Sequence, residues 1–307
     1  MSIPAVAQLT DASLPRIAPL EPKPPAWVHD LFRDRAGGLP LPALEADGAI
    51  EVVRRDPFAR ITARIAGAAT LDAADLSTIV AARYSAIAAV LARLRKHPIR
   101  YWNYVPGIVD ALGPGMDRYM AFNRGRHAAY AQTWNTAAGF ERSVPAASAV
   151  GVQGEDLVID CLGSDRPGLP VENPRQIASW RYSHRYGPLP PCFARGSVAN
   201  IGDRRMLLLA GTASIVGEES RHPGDARAQV AEVIRNIEAL IDHAGRTRRD
   251  PFEQLTELRI YVVNPDDLDM VEGAIRARVA TDVRIESALA RVCRAELLVE
   301  IEGVAAL

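Results

Sequence analysis

Residues 225–244 read DARAQVAEVIRNIEALIDHA, and residues 258–263 read LRIYVV. In the first stretch Val230, Val233, Ile237 and Leu240 recur at helical spacing, which predicts an amphipathic helix with one apolar face. The second stretch is rich in β-branched and aromatic residues and ends at an Asn-Pro pair, which predicts a strand. A helix followed by a strand is therefore the basic unit of the fold.

The first half of the chain carries the same unit. An apolar stripe of helical period runs over residues 75–96, and residues 99–105, IRYWNYV, predict a strand that ends at Pro106. When the two units are superposed, Arg100 matches Arg259 and Pro106 matches Pro265. The common order favours an internal duplication, although two unrelated helix-strand units would give a similar pattern.

Further strands are predicted at residues 206–210, MLLLA, and 297–301, LLVEI. Strand, helix and strand in this order indicate helices packed on one face of a mixed sheet, an α+β architecture. We expect a Pro-rich extended arm over residues 1–45, a first domain over 46–147 and a second domain over 148–307.

Composition excludes several classes of protein. The 307 residues contain 36 Lys+Arg and 37 Asp+Glu, so no overall positive charge attracts nucleic acid. We expect no membrane span, because no apolar run reaches about 20 residues, and a cytoplasmic location, because the start of the chain lacks a signal peptide. The three cysteines and six histidines show no metal-ligand spacing, so neither a metal nor a disulfide framework is expected.

The segment RVCRAELLVEIEG, residues 291–303, is the first candidate for chemistry. Alternation on a strand places Glu300 and Glu302 on one face, with apolar neighbours around them. Desolvation raises the pKa of a carboxyl group, and a raised pKa lets a glutamate act as a general acid near neutral pH. The alternative is that both carboxylates lie on a solvated face or pair with arginine.

Residues 116–130, MDRYMAFNRGRHAAY, form the second candidate. The period is helical, but Gly125 interrupts it at a cost of about 1 kcal/mol relative to alanine, which suggests that something approaches the backbone there. Beside it, Arg126 could present its planar fork to a carboxylate. A surface arginine that only faces solvent is the alternative.

The third candidate is SWRYSHRYGPLPPCFARGS, residues 179–197. Tyr182, Tyr186 and Arg195 belong to an alternation of rings and cations that suits an anionic ring compound. A loop whose rings cover the core while its cations face water would have the same composition.

Taken together, six motifs resemble one known family: RYWNYVPGI, FNRGRHAAY, RYSHRYGP, FARG, AGTASIVGEES and CRAELLVEIEG. The second half resembles the RutC-like or YjgF-like (chorismate-mutase-like) fold, and the whole chain resembles the chorismatase family, over about residues 75–303. The resemblance implies two RutC/YjgF-like domains, the first of them degenerate, and a small-molecule substrate, chorismate.

The implied reaction cleaves the enolpyruvyl ether of chorismate to pyruvate and 3-hydroxybenzoate, with 4-hydroxybenzoate as a further product of some members, and needs no cofactor. By the same resemblance Glu300 is the general acid, Arg126 binds a carboxylate and Tyr182 contacts the substrate. The pair Ala210-Gly211 corresponds to a pocket wall where members differ by a small side chain, and glycine there favours the aromatising branch. Cys293 is also similar to a residue of that branch. The second carboxylate requires another cation, and the candidates are Arg259, Arg284 and Arg294.

Three alternatives stay open at this point. The chain could hydrolyse chorismate to pyruvate and dihydroxycyclohexadiene carboxylate, deaminate imines as RutC-like enzymes do, or bind a ligand without catalysis. The fold resemblance also makes a homotrimer possible.

Overall fold

The helix predicted at residues 225–244 and the strand predicted at 258–263 are both present in the computed structural model, within one residue and within three residues of their predicted ends. The structure describes residues 17–33, 45–46, 49–134, 137–245 and 250–307. Of the expected N-terminal arm, residues 1–16 and 34–44 lie outside this part.

The helices are α1 (Ala26–Leu31), α2 (Ala73–Leu94), α3 (Arg118–Trp134), α4 (Ala137–Ser143), α5 (Ala226–Gly245) and α6 (Leu268–Arg276). The strands are β1 (Glu45–Ala46), β2 (Ile50–Arg55), β3 (Phe58–Ile65), β4 (His97–Pro106), β5 (Ala111–Gly113), β6 (Met116–Asp117), β7 (Ala146–Val152), β8 (Leu157–Ser164), β9 (Leu169–Val171), β10 (Gly196–Ile201), β11 (Arg204–Ala213), β12 (Ile215–Val216), β13 (Glu219–Ser220), β14 (Leu255–Val262), β15 (Arg284–Leu289) and β16 (Val299–Ala306).

Two six-stranded sheets organise the chain, and they have the same topology. The first sheet has the order β1-β2-β3-β8-β4-β7, and the second, read from its other edge, has the order β9-β10-β11-β16-β14-β15. In each sheet the last pair, β4 with β7 and β14 with β15, is parallel, while the preceding pairs are antiparallel. The expected duplication and the α+β class are therefore confirmed.

Strand register makes the correspondence between the halves exact to the residue. Arg100 lies opposite Leu162 and Trp102 opposite Asp160, while Arg259 lies opposite Glu302 and Tyr261 opposite Glu300. Asp160 is therefore the counterpart of Glu300. Leu162, in turn, is the counterpart of Glu302.

The two sheets pack face to face, and helices cover their outer faces. Apolar residues of α2 and α3 pack on the first sheet, and those of α5 and α6 on the second. A third cluster, which includes Trp102, Tyr104, Leu208 and Tyr261, lies between the sheets. The result is four layers, helix, sheet, sheet and helix, with one face of each sheet turned towards the other sheet.

Helix α2 begins where Asp72 accepts hydrogen bonds from the backbone N–H groups of Ala74 and Asp75, and ends at Arg95 in the left-handed conformation. By length and composition this helix could cross a membrane. In the structure, however, one of its faces is buried against the first sheet and α3, which is the arrangement of a core helix in a globular domain.

The boundary expected between residues 147 and 148 would cut through β7. Both β7 and β8 belong to the first sheet, and the second sheet begins at Leu169. Both strands are buried along nearly their whole length. We propose instead that the two domains meet between Ser164 and Leu169.

The described part of the N-terminal arm, residues 17–33, crosses both sheets. Leu20 donates a backbone hydrogen bond to Leu289 at the edge of the second sheet, and Trp27 packs edge-on against Trp102 with ring centroids 6.0 Å apart. The expectation of a wholly extended arm is wrong for α1, since Pro25 stands at its N-cap with φ −59° and thereby starts the helix.

Candidate active site

A cleft with about 720 Å³ of empty volume opens between the two halves. Its walls come from strand β7 and helix α3 of the first half, and from β11, β16 and the segment between β9 and β10 of the second. Four of the predicted side chains line it: Arg126, Tyr182, Cys293 and Glu300. The duplicated fold thus brings together motifs that are more than 170 residues apart in the sequence.

Glu300 lies in the middle of β16, on the face that the sequence pattern predicted. Val299 and Ile301 point into the core beneath α5 and α6, while Glu300 and Glu302 face the first sheet. Glu300 is 3% exposed, and among the residues that the structure describes its Oε1 has no hydrogen-bond partner. Burial raises the pKa of Glu300 to about 8; the nearby Glu302 charge adds to this shift, while Arg100 and Arg195 oppose it.

Glu302, two residues further along the same face, has the opposite surroundings. Its carboxylate accepts hydrogen bonds from Arg100 Nη2 at 2.6 Å, Tyr261 Oη at 2.7 Å and Trp102 Nε1 at 3.2 Å, and from the Ser148 hydroxyl. Donors to both carboxylate oxygens, one of them a cation, stabilise the ionised form. One buried glutamate thus has donors that stabilise its anion, and the other lies beside it with no donor to its Oε1 among the described residues.

Arg126 projects from α3 into the cleft and is fully buried. Its Nη2 donates to Asn123 Oδ1 at 2.8 Å, whereas its Nε and Nη1 find no acceptor within the described ranges of the chain. The guanidinium lies over the rings of Phe122 and Phe193, with centroid distances of 5.2 and 5.7 Å. A buried cation with two free donors is poised to receive a carboxylate from a ligand.

Gly125 adjoins this arginine for a packing reason. A Cβ at this position would lie 2.4 Å from the backbone oxygen of Ser77 and 2.8 Å from Cβ of Val80. The element that approaches the backbone is thus helix α2, rather than a ligand.

Arg195 is the functional residue for which sequence reasoning gave no specific role. It is 5% exposed and lines the cleft; its Nη2 donates to Tyr182 Oη at 2.6 Å and to the Ile177 carbonyl at 3.1 Å. In the part of the chain that is described, its Nε has no partner. The segment that carries it folds back because the Ser179 hydroxyl donates to the Phe193 carbonyl at 2.7 Å. The alternation of rings and cations in residues 179–197 was the available signal.

The structure separates the cations predicted for a second carboxylate. Arg294 lines the cleft, with its guanidinium 3.8 Å from the ring centroid of Tyr186. Arg259 instead donates to the Lys23 carbonyl in the arm, and Arg284 pairs with Asp30 at 3.2 Å. Neither Arg259 nor Arg284 lines the cleft, because both side chains contact the N-terminal arm instead.

The pocket wall is formed by Gly211. A Cβ at Gly211 would lie 2.0 Å from Glu300 Oε1 and 3.2 Å from Ser148 Oγ, so any larger residue there displaces the carboxyl group. Ala210 is fully buried and is not among the residues that line the cleft, so its prediction as a contact residue is wrong. A register shift between Leu209 and Thr212 interrupts the alternation along β11 and brings Gly211 to the cleft instead. Cys293 lies on the opposite wall, where burial, followed by the Glu300 charge, raises the pKa of its thiol to about 12.

Comparison with known proteins agrees with this geometry. A family model described as "Chorismatase FkbO/Hyg5-like, N-terminal" matches residues 44–163. The match ends within β8, the strand of the first sheet that comes last in the sequence. A 3-hydroxybenzoate synthase of Streptomyces hygroscopicus is 34% identical over 215 residues, which cover 67% of this chain and 62% of that protein. A chorismatase of Streptomyces rapamycinicus is 33% identical over 218 residues, with 67% and 63% covered. The chain thus matches less than two thirds of the length of these relatives.

A solved structure is also similar over most of the chain. The crystal structure of a chorismatase at 1.08 Å resolution superposes with a TM-score of 0.75 and 26% sequence identity, and it covers 87% of this chain and 80% of that one. Both halves therefore belong to the shared fold.

Proposed function

The chain belongs to the chorismatase family, and from that premise we propose that it cleaves the enolpyruvyl ether of chorismate to pyruvate and 3-hydroxybenzoate. One observation carries the proposal. Glu300, buried and with no partner for its Oε1 among the described residues, faces a cleft that also contains Arg126 and Arg195, two buried arginines with donors unpartnered in the same part of the chain. Chorismate has two carboxylates and an enol ether, which are the groups that such a cleft recognises and attacks.

In the proposed mechanism Glu300 donates its proton to the methylene carbon of the enolpyruvyl group. The enol ether becomes an oxocarbenium ion, which an oxygen nucleophile, water or the neighbouring ring hydroxyl, then attacks. If the ring hydroxyl attacks, the adduct is a cyclic ketal. Its collapse breaks the ether bond on the pyruvyl side and the bond between the ring and the former hydroxyl oxygen, so that this oxygen leaves as the keto oxygen of pyruvate and loss of a ring proton gives 3-hydroxybenzoate. If water attacks, the hemiketal collapses to pyruvate and the diene diol instead. The proton lost when the ring aromatises balances the proton consumed, so hydroxybenzoate and pyruvate together contain the atoms of chorismate. A carboxyl group with a pKa of about 8 is protonated at neutral pH, as the first step requires.

Each arginine has a distinct place in the proposal. Arg126, whose Nε and Nη1 find no acceptor among the described residues, has donors left for a substrate carboxylate. Arg195, held by Tyr182, reaches the second carboxylate with its Nε, and Arg294 stands at the cleft as a further cation. Tyr182 then acts by fixing Arg195 as well as by contacting the ring.

Two features favour the aromatic product over the diene diol. The wall beside Glu300 is Gly211 rather than Ala210, and Cys293 lies across the cleft. By the family resemblance, glycine and cysteine at these positions accompany the aromatising branch. A relative that matches this chain over 215 residues carries the name 3-hydroxybenzoate synthase.

The test is to incubate the purified protein with chorismate, follow pyruvate with lactate dehydrogenase, and separate the ring products by chromatography. We expect pyruvate well above the spontaneous rate and 3-hydroxybenzoate as the main ring product. Absence of pyruvate would contradict the proposal, and a diene diol as the main product would contradict the branch assignment. A cytoplasmic location and a homotrimer stay predictions, which cell fractionation and sedimentation analysis can check.

A further inference from the structure

We propose that Glu302 is a positioning residue whose task is to occupy Arg100, so that Glu300 keeps its proton. This inference rests on the proposed function, since it explains how the acid of that reaction stays an acid beside a buried cation. Glu302 does not itself line the cleft in the structure and acts through Arg100 and Ser148.

The first step of the argument is the position of Arg100. This arginine is 2% exposed, and it donates to Glu302, to the Ser148 hydroxyl at 2.6 Å and to the Tyr101 carbonyl at 2.9 Å. The Ser148 hydroxyl lies in the wall of the cleft, near the Gly211 position against which Glu300 Oε1 rests. Arg100 thus contacts Ser148, a residue that borders the same Gly211 position as Glu300.

The second step is what a free Arg100 would do. An unpaired buried guanidinium favours ionisation of any carboxyl group within reach, and its charge already acts against protonation of Glu300. Glu302 satisfies this cation with a hydrogen-bonded ion pair, in which three further donors fix the carboxylate. The pair carries no net charge, and the Glu302 charge opposes the pull of Arg100 on the Glu300 proton.

The third step is the comparison with the other half of the chain. Asp160, the counterpart of Glu300, accepts a hydrogen bond from the Thr62 hydroxyl at 2.5 Å and has Arg60 Nε at 4.0 Å. Opposite Glu300, the strand position equivalent to Thr62 is Ala213, which offers no donor. The position equivalent to Glu302 is Leu162. Burial raises the pKa of Asp160 to about 6 only, with Thr62 and Arg60 opposing the shift. The second carboxylate, Glu302, is therefore found in the second half, where the acid Glu300 faces the open cleft. In the first half Leu162 stands at the equivalent position.

Other ionisable groups face this pair from every neighbouring element. Around Glu300 these are Arg100 on β4, Arg195 before β10, Tyr119 on α3 and Cys293. Around Glu302 they are Arg100, Tyr104, Arg259 and Tyr261. Burial raises the pKa values of the tyrosines and of the thiol, so all of them are neutral at pH 7. The charges that act on Glu300 are then those of Glu302 and the arginines.

The experiment titrates Glu300 directly in the ligand-free protein. Protein with ¹³C-labelled glutamate and aspartate carboxyl groups is titrated by NMR, the Glu300 signal being assigned by its loss in Glu300→Gln. In Glu302→Gln we expect the Glu300 midpoint to fall by one pH unit or more, which is about a tenfold loss in the ratio of protonated to ionised acid. The Asp160 signal, from the equivalent position of the other half, serves as the internal reference and stays in place.

A second variant separates charge compensation from simple packing. In Arg100→Gln/Glu302→Gln the freed cation is also removed, so the Glu300 midpoint should return to within about half a pH unit of the wild-type value. Glu302→Asp keeps the negative charge, so the wild-type midpoint of Glu300 should be preserved. An unchanged midpoint in the single variant overturns the proposal, as does a double variant whose midpoint lies as low as the single one. If the single variant does not fold, the double variant decides alone. None of these readings depends on turnover, so a failure here is distinct from a failure of chorismate cleavage.

Discussion

At the scale of the residue, the account depends on a difference between two glutamates that lie two positions apart on one strand face. Glu302 accepts four hydrogen bonds, whereas Oε1 of Glu300 accepts none from the residues that the structure describes. Such a pair of environments separates an acid from an anion without any difference in residue type.

Replacement of the acid gives the first prediction. Glu300→Gln keeps the shape of the side chain but removes the transferable proton, so we expect kcat to fall about 10²-fold or more. In the wild type kcat/KM should decline as pH rises through about 8, because the reactive form of the free enzyme is the protonated one, and this limb should vanish in the variant. Steady-state pyruvate release between pH 6 and 10 measures both effects.

The same substitution has a consequence for stability. The folded-state pKa of Glu300 lies above its ordinary value, so its contribution to stability is complete at low pH and is lost as pH rises towards 8. Glu300→Gln should therefore be at least as stable as the wild type at pH 8 and above. Thermal unfolding followed by circular dichroism checks this, and a markedly less stable variant would argue against an acid that is strained when ionised.

Carboxylate binding gives the second prediction. Arg126→Met should raise KM for chorismate about 10²-fold, the loss expected for a charge-assisted contact, because the buried Nε and Nη1 have no acceptor among the described residues and are left for the substrate. Arg124→Met is the matched control on the same helix; Arg124 bonds Ser77 on α2 and does not line the cleft, so KM should stay as it is. Equal KM values for the two variants would remove Arg126 from the substrate site.

At the scale of the element, the packing of α2 against α3 places Arg126. Helix propensity alone says that Gly125→Ala should stabilise the protein by about 1 kcal/mol. The structure predicts the reverse, a loss of about 1–3 kcal/mol, because the new Cβ meets the Ser77 carbonyl and Val80. Urea denaturation distinguishes the two signs, and a stabilised Gly125→Ala variant would mean that the helices are not this close.

The sequence predicted elements well where a period carries the signal. The helices at α2 and α5, the strands at β4 and β14, and the shared face of Glu300 and Glu302 all follow from spacing. The spacing of residues in the sequence gives no comparable signal for the side-chain contacts between the two sheets. Arg100 and Arg259 occupy equivalent places, and only the packing of the two sheets decides that Arg100 reaches Glu302, 202 positions away. Arg195 likewise enters the cleft because its loop folds back on itself.

At the scale of the whole molecule, the apolar cluster between the sheets makes the two halves one cooperative unit. Residues from β4, β8, β11, β14 and the arm all contribute to this cluster. Neither half can bury its inner sheet face alone, and the cleft exists only between the two halves.

A denaturation experiment tests whether the two halves unfold together. Three of the four tryptophans, Trp27, Trp102 and Trp134, precede the second sheet, so tryptophan fluorescence reports mainly on the first half and its contact with the second, whereas far-ultraviolet circular dichroism reports on both halves. We expect the two signals to change at the same denaturant concentration in a single transition. Separate midpoints would show that the halves unfold independently.

The central claim is that Glu300 delivers a solvent-exchangeable proton to carbon, and the isotopic composition of the pyruvate tests it most directly. The reaction is run in D₂O, where the carboxyl group carries deuterium, and the pyruvate methyl group is analysed by NMR. The account predicts one deuterium in each methyl group. A methyl group formed without deuterium would mean that its third hydrogen came from the ring of the substrate, and would contradict a role for Glu300 as the acid.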